Sequence, residues 1–316
     1  MKSKRVLGSM FLTIASIIWG AMFVVVKIIV NEVHPIQLVW LEYLIALVFL
    51  IGFSIMKKEK WHINWSDLKL IFWIGIIGNT ISLVAQEMGT GLSNAQTGSV
   101  ITSTIPAFMI IFGWLILKEK LDKVKVLSVV IAILGVVMIV GLKMSGTNVI
   151  LGVLLLVLDS IAWALMSVLV KKVKTYSSLQ ITIMSTVVAV VALTPFILSD
   201  MSSLTSINFA DPTIILSLLY IGAVSTAVAY VMWNRGLQIV SAGSSGLFYL
   251  IQPIVGSFLG WLLLGEQISV GFIIGSAMIL ASVWISVKFD GSSSNETRLE
   301  RTRPAKLNAK LKLNNN

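Results

Sequence analysis

Residues 236–266 read GLQIVSAGSSGLFYLIQPIVGSFLGWLLLGE, and their Gly236-Leu237, Ala242, Pro253 and Glu266 have an upstream echo in Gly91-Leu92, Ala95, Pro106 and Glu119. Alanine to proline is eleven positions in both copies and proline to glutamate is thirteen, while the Gly-Leu to alanine interval is two residues longer in the second. A further pair agrees. Ser16-Ile17-x-Trp19-x-x-Met22-x-Val24-x-Val26-Lys27 recurs as Ser160-Ile161-x-Trp163-x-x-Met166-x-Val168-x-Val170-Lys171, seven identities in twelve positions at an offset of 144. The chain therefore reads as one unit of roughly 140 residues used twice. The copies are expected over 6–142 and 149–288, with 289–316 left as a tail.

The 316 residues are 57% apolar and 12% charged, with a mean hydropathy of +0.94. Soluble domains carry about 25% charge, so hydrocarbon rather than water is the solvent for most of this chain. Ten apolar runs are long enough for a helix to cross a bilayer. Their expected limits are 6–30, 36–56, 68–86, 95–117, 124–142, 149–170, 178–198, 213–233, 243–264 and 268–288. The runs are continuous rather than alternating, which excludes a transmembrane barrel and predicts an all-α polytopic membrane protein. The first run is too long for a cleaved leader and is expected to stay as the first span.

The net charge of +10 does not point to nucleic acid, because the cations sit in connections and in the tail. Lys2, Lys4, Arg5, Lys57, Lys58, Lys60, Lys118, Lys120, Lys123, Lys125, Lys171, Lys172, Lys174 and Arg235 fall on one side of the predicted topology, and Lys143 alone on the other. The positive-inside rule then makes both termini cytoplasmic, in the plasma membrane. Residues 289–316, rich in Ser, Asn, Lys and Arg, are expected to be a basic, disordered cytoplasmic tail. With no cysteine and with His34 and His62 on opposite sides, thiolate chemistry is excluded and a metal site is not expected.

Five spans per copy is an odd number, so the second copy enters the membrane in the opposite sense. Inverted repeats of this kind underlie alternating access, with substrate bound near the repeat interface. Ionisable groups inside the spans are costly and invite a functional reason. Asp159, some ten residues into the sixth span, is placed at mid-depth as a contact for a substrate amine or as a proton carrier. Glu42 and Lys27 are candidates near the outer face and are placed to pair with each other. Trp19 and Lys27 share one helix face, as do Asp159 and Trp163. Asn79, Gln86, Tyr230, Tyr249 and Gln252 add polar or amphipathic groups to a prospective cavity. Pro106 and Pro253, at matching places, are expected to kink the fourth and ninth spans as hinges. Glu119 and Glu266 follow at opposite faces, where each could accept nearby donors.

No phosphate-binding loop and no nucleophile with a matched base is found, so neither a cofactor nor an enzymatic activity is called for. The motifs resemble a known family. Trp19-Gly20 followed by Lys27, His34-Pro35 opening the second span, the Gly-Leu/Ala/Pro/Glu string of each copy and Trp233-Asn234-Arg235-Gly236-Leu237 look like EamA-type transporters of the drug/metabolite transporter superfamily. The resemblance covers roughly 10–288. It implies ten helices, cytoplasmic termini, a central cavity and export of amino acids, other metabolites or toxic amphipathic compounds. Where many members have an arginine early in the second helix, this chain has Glu42, so no substrate is carried over. Import or exchange of sugars, nucleotide sugars or phosphorylated metabolites is the alternative, disfavoured because Lys27 is the one cation set in from the ends of the spans. Protons are the expected coupling ion, and nothing in the sequence sets an oligomeric state.

Overall fold

Inside a bilayer the backbone has no partner but itself, and all the regular secondary structure described here is helical. The computed structural model describes residues 2–61, 64–93, 95–119, 123–140 and 147–265, and 270–285 in part. In chain order the elements are α1 (Lys2–Ile29), α2 (Pro35–Met56) and α3 (Trp65–Trp73), which runs through a π-helical stretch (Ile74–Ser82) into α4 (Leu83–Leu92). Next come α5 (Ala95–Ile101), a 3-10 turn (Thr102–Thr104), α6 (Ile105–Leu117) and α7 (Lys123–Val140). The second half has α8 (Thr147–Val170), α9 (Ser178–Ser199), a short α10 (Met201–Thr205) and α11 (Pro212–Leu219), which passes through a second π stretch (Tyr220–Val228) into α12 (Ala229–Ile239). It closes with α13 (Ala242–Gly246), a 3-10 stretch (Leu247–Ile251) and α14 (Gln252–Leu264).

Among the described residues eight helices are long and apolar enough to cross a membrane, and each overlaps one of the expected runs. The chain is a multi-span membrane protein. The fifth run corresponds to α7. About half of the tenth, and Glu266, His62, Lys143 and the tail, lie outside the described residues. Two limits shift. The third and eighth runs continue to Leu92 and Ile239, past the expected 86 and 233, because their polar residues ride inside the helix instead of ending it.

Helix ends are capped by side chains. Ser177 and Gln180 form a reciprocal capping box at α9, and Asn64 accepts from Asp67 N at α3. Asp67 in turn accepts from Lys174 N at 3.1 Å and Thr175 N at 2.9 Å, while Gln180 donates to Lys60 O at 2.9 Å. The connections carrying Lys57, Lys58 and Lys60 and Lys171, Lys172 and Lys174 therefore meet at one end of the bundle. In the polar 199–212 connection, Asp200 caps α10, and hydrogen bonds from Ser203 and Ser202 hold its carboxyl below the usual carboxylate range.

The two copies repeat each other in contacts as well as in sequence. A Cβ on Gly75 would sit 2.8 Å from Ser185 O and 2.6 Å from Val188 Cβ; one on Gly222 would sit 2.8 Å from Glu42 O and 2.6 Å from Ile45 Cβ. Each π stretch thus presses a glycine onto the backbone of the helix opposite. The polarity of the packing is inverted from that of a soluble protein: Val48, Phe49 and Met56 are exposed, whereas Glu42, Asp159 and Glu87 are buried.

Candidate functional site

Four aromatic residues converge where the copies meet. Trp19 on α1 packs edge-on against Trp163 on α8 at 5.3 Å between ring centroids and stacks at 7° on Tyr249 at 5.7 Å. Tyr230 on α12 closes the box against Trp163 at 5.2 Å, and Trp233 supports it from behind at 4.4 Å from Tyr249. The sequence places Trp19 and Trp163 at equivalent positions of the repeat, so one side chain used twice furnishes facing walls.

The box opens onto a small cavity completed by Met22, Phe23, Leu83, Gln86, Ile105 and Gln252. It measures about 20 Å³, room for one water and not for an organic solute, so the site is closed in this conformation. Two of its polar groups, Trp163 Nε1 and Tyr249 Oη, are buried and make no hydrogen bond among the described residues. Buried donors are nearly always satisfied, so these two are placed to be completed by a guest.

Behind the box lie three buried carboxylates. Asp159 takes a hydrogen bond on Oδ1 from Ser82 Oγ, leaving Oδ2 without one. Glu42 accepts from Thr226 Oγ1 at 2.7 Å and leaves Oε2 unbonded. Glu87 on α4 is fully buried, has Gln86 as its polar neighbour and lies within electrostatic reach of the other two. Sequence reading missed Glu87. The run was expected to end at 86, where Gln86-Glu87 looks like a helix leaving the membrane; the signal available was the resumption of Met88-Gly89-Thr90-Gly91-Leu92 behind it.

Two expectations are corrected by geometry. Lys27 and Glu42 do not pair: the Lys27 ammonium donates to Ser93 O at 3.0 Å and Gly91 O at 3.4 Å, the carbonyls ending α4. Lys171 at the equivalent place donates to Leu237 O at 2.6 Å and to Val240 O, ending α12. Each lysine answers the negative end of a helix, which explains its recurrence without a substrate. Pro106 and Pro253 are not mid-helix kinks either; each occupies the first turn of a new helix, α6 or α14, just after a 3-10 segment. The ring excludes an α-turn before it and lacks an N–H, so the span breaks upstream. Hydroxyls of this stretch bond back to the preceding turn: Thr102 Oγ1 donates to Gly98 O at 3.0 Å, Ser103 to Ser99 O at 3.0 Å and Thr104 to Ile101 O at 2.7 Å.

The remaining candidates divide. Gln86 and Gln252 line the cavity, and Thr102 reaches Gln252 Oε1 at 3.4 Å, joining the two broken spans. Asn79 lies away from it: its amide donates to Ser185 Oγ at 3.1 Å and its carbonyl accepts from Tyr43 Oη at 2.7 Å. Trp19 Nε1 likewise donates to Ser225 O at 2.9 Å. Both acceptor carbonyls belong to π stretches, whose wider turns leave backbone oxygens for side chains. Glu119 accepts from Ala242 N at 3.0 Å and so caps α13 from the other copy.

Comparison with known proteins agrees with this architecture. The model of the EamA-like transporter family matches residues 6–141 and again 150–288. An "Uncharacterized transporter" of Archaeoglobus fulgidus is 29% identical over 85% of this chain and 95% of its own. A "Probable amino-acid metabolite efflux pump" of Salmonella typhimurium is 26% identical over 86% of this chain and 91% of its own. One crystal structure superposes with a TM-score of 0.68 at 16% identity, covering 90% of this chain and 96% of the other, a likeness of fold alone.

Proposed function

This chain belongs to the EamA-like transporter family, and from that premise we propose that it is a secondary exporter of small metabolites carrying a cationic amine, amino acids foremost, working by alternating access. The observation that carries the reading is an aromatic box with unfilled polar groups, backed by three buried carboxylates. Aromatic faces and fixed anions both favour a cation. The relative named as an amino-acid metabolite efflux pump supports the same class. Among the described residues no cation lines the cavity, which weighs against phosphorylated metabolites and nucleotide sugars.

Two inverted five-helix units, 6–142 and 149–288, supply the two states, and ten helices complete the bundle in the plasma membrane with both termini cytoplasmic. The mirrored lysine caps and the mirrored glycine contacts of the π stretches support that arrangement. The broken spans ending in α6 and α14 rock about the box, opening it to one side at a time. Asp159, with Glu87 beside it, receives the amine, and protons returning through Asp159 or Glu42 drive export.

The test is substrate flux across an imposed pH gradient in vesicles. Asp159→Asn and Glu42→Gln are expected to uncouple or abolish flux. Unchanged, gradient-dependent flux in both would remove the proton-coupling claim.

A further inference from the structure

A second concavity lies outside the bundle's interior, on a flank that faces hydrocarbon. It is a groove of about 550 Å³ between the later half of α2 and the π stretch leading into α12, closed at one side by Phe11 of α1. Its walls are apolar, with Phe49 and Phe53 facing Val228 and Met232 across Gly52. Its size falls in the range of about 300–1,000 Å³ usual for small-molecule sites.

Among the described residues, the charged groups lining it are two cations, Lys57 and Arg235. Both are held by aromatic rings of the groove: Lys57 Nζ is 4.5 Å from the Phe53 centroid and the Arg235 guanidinium 5.4 Å from that of Phe11. Cation–π contacts of this kind fix the charge while leaving its N–H groups open to an anion. The groove also backs onto the working interface, since Thr226 and Glu42 bond across the same pair of helices on the inner side.

We propose that this groove is a binding site for an anionic phospholipid, with an acyl chain lying along Phe49, Gly52 and Val228 and the phosphate bridging Lys57 and Arg235. Charge complementarity selects the occupant. A zwitterionic headgroup brings a cation for which the lining offers no carboxylate, whereas a singly anionic headgroup sets its negative charge against the two cations and adds no positive one. The lipid would come from the leaflet bordering the lysine-rich end of the bundle and would splint α2 to α12. This assignment stands apart from the transport reading and uses none of its residues.

Native mass spectrometry and thermal unfolding of the full-length protein in neutral detergent, titrated with phosphatidylglycerol or with phosphatidylcholine of the same chains, provide the test. Phosphatidylglycerol is expected to be retained at one copy per chain and to raise the melting temperature, and phosphatidylcholine to do neither. At about fivefold per cation, Lys57→Ala with Arg235→Ala is expected to weaken phosphatidylglycerol about thirtyfold. Gly52→Leu keeps both cations and enters space where a Cβ meets nothing within 4 Å, so the protein folds while the groove is filled; it too is expected to lose the lipid. Equal retention of the two lipids, or unchanged binding in either variant, overturns the proposal. So does a change of oligomeric state in folded Gly52→Leu protein with lipid binding unaltered, which would make the face a contact between copies.

Discussion

Carboxylates in hydrocarbon announce themselves in a sequence only when they interrupt an apolar run. Asp159 and Glu42 did so. Glu87 did not, because it follows Gln86 at what reads as the edge of a span. Its full burial near two other carboxylates means that Glu87→Gln removes a desolvation cost and is expected to leave the melting temperature unchanged or raised, while impairing flux of an amine substrate. Asp159→Asn is expected to cost about 1.5–3 kcal/mol of affinity for the same substrate, the loss of a charged hydrogen bond, read as a raised Kd with an unaltered fold. Lys27 is the contrasting case. Its charge stood out as a site candidate, and only its contact with Ser93 and Gly91, beside that of Lys171 with Leu237 and Val240, shows that both copies use the lysine alike. Lys27→Met is accordingly expected to lower thermal stability by about 1–3 kcal/mol and leave substrate Kd where it was.

Helices as elements were legible from length and hydropathy, but their irregularities were not. Proline announced a disturbance at 106 and 253, yet the break lies in the 3-10 turns before it, where Thr102, Ser103 and Thr104 bond back to the preceding turn. The π stretches carry no residue signature of their own; Gly75 and Gly222 hint at close approach, and the widened turn arises from what packs against it. These glycines give a direct check. Gly75→Ala and Gly222→Ala drive a Cβ into a neighbouring backbone oxygen at 2.8 Å and are each expected to destabilise by about 1–3 kcal/mol in thermal unfolding. Gly52→Ala, with open space around it, is expected to be neutral or to stabilise by up to about 1 kcal/mol.

At the scale of the molecule, duplication was plain from the spacing of Ala, Pro and Glu, whereas the meeting of Trp19, Trp163, Tyr230 and Tyr249 at one point depended on how the copies dock and could not be read from either alone. Orientation is open to a simple assay, because the chain has no cysteine. Single cysteines at Ser202 and Lys172 are expected to react from outside intact cells at the first position only; labelling of Lys172→Cys instead would invert the topology. The central claim is that the aromatic box is the substrate site of an amine exporter. Counterflow in proteoliposomes, with one labelled amino acid at a time entering vesicles preloaded with a mixture, tests it most directly when wild type is set beside Trp163→Ala and Asp159→Asn. Saturable entry is expected for at least one amino acid and is lost in both variants; saturable entry that persists undiminished in both folded variants would place the substrate elsewhere.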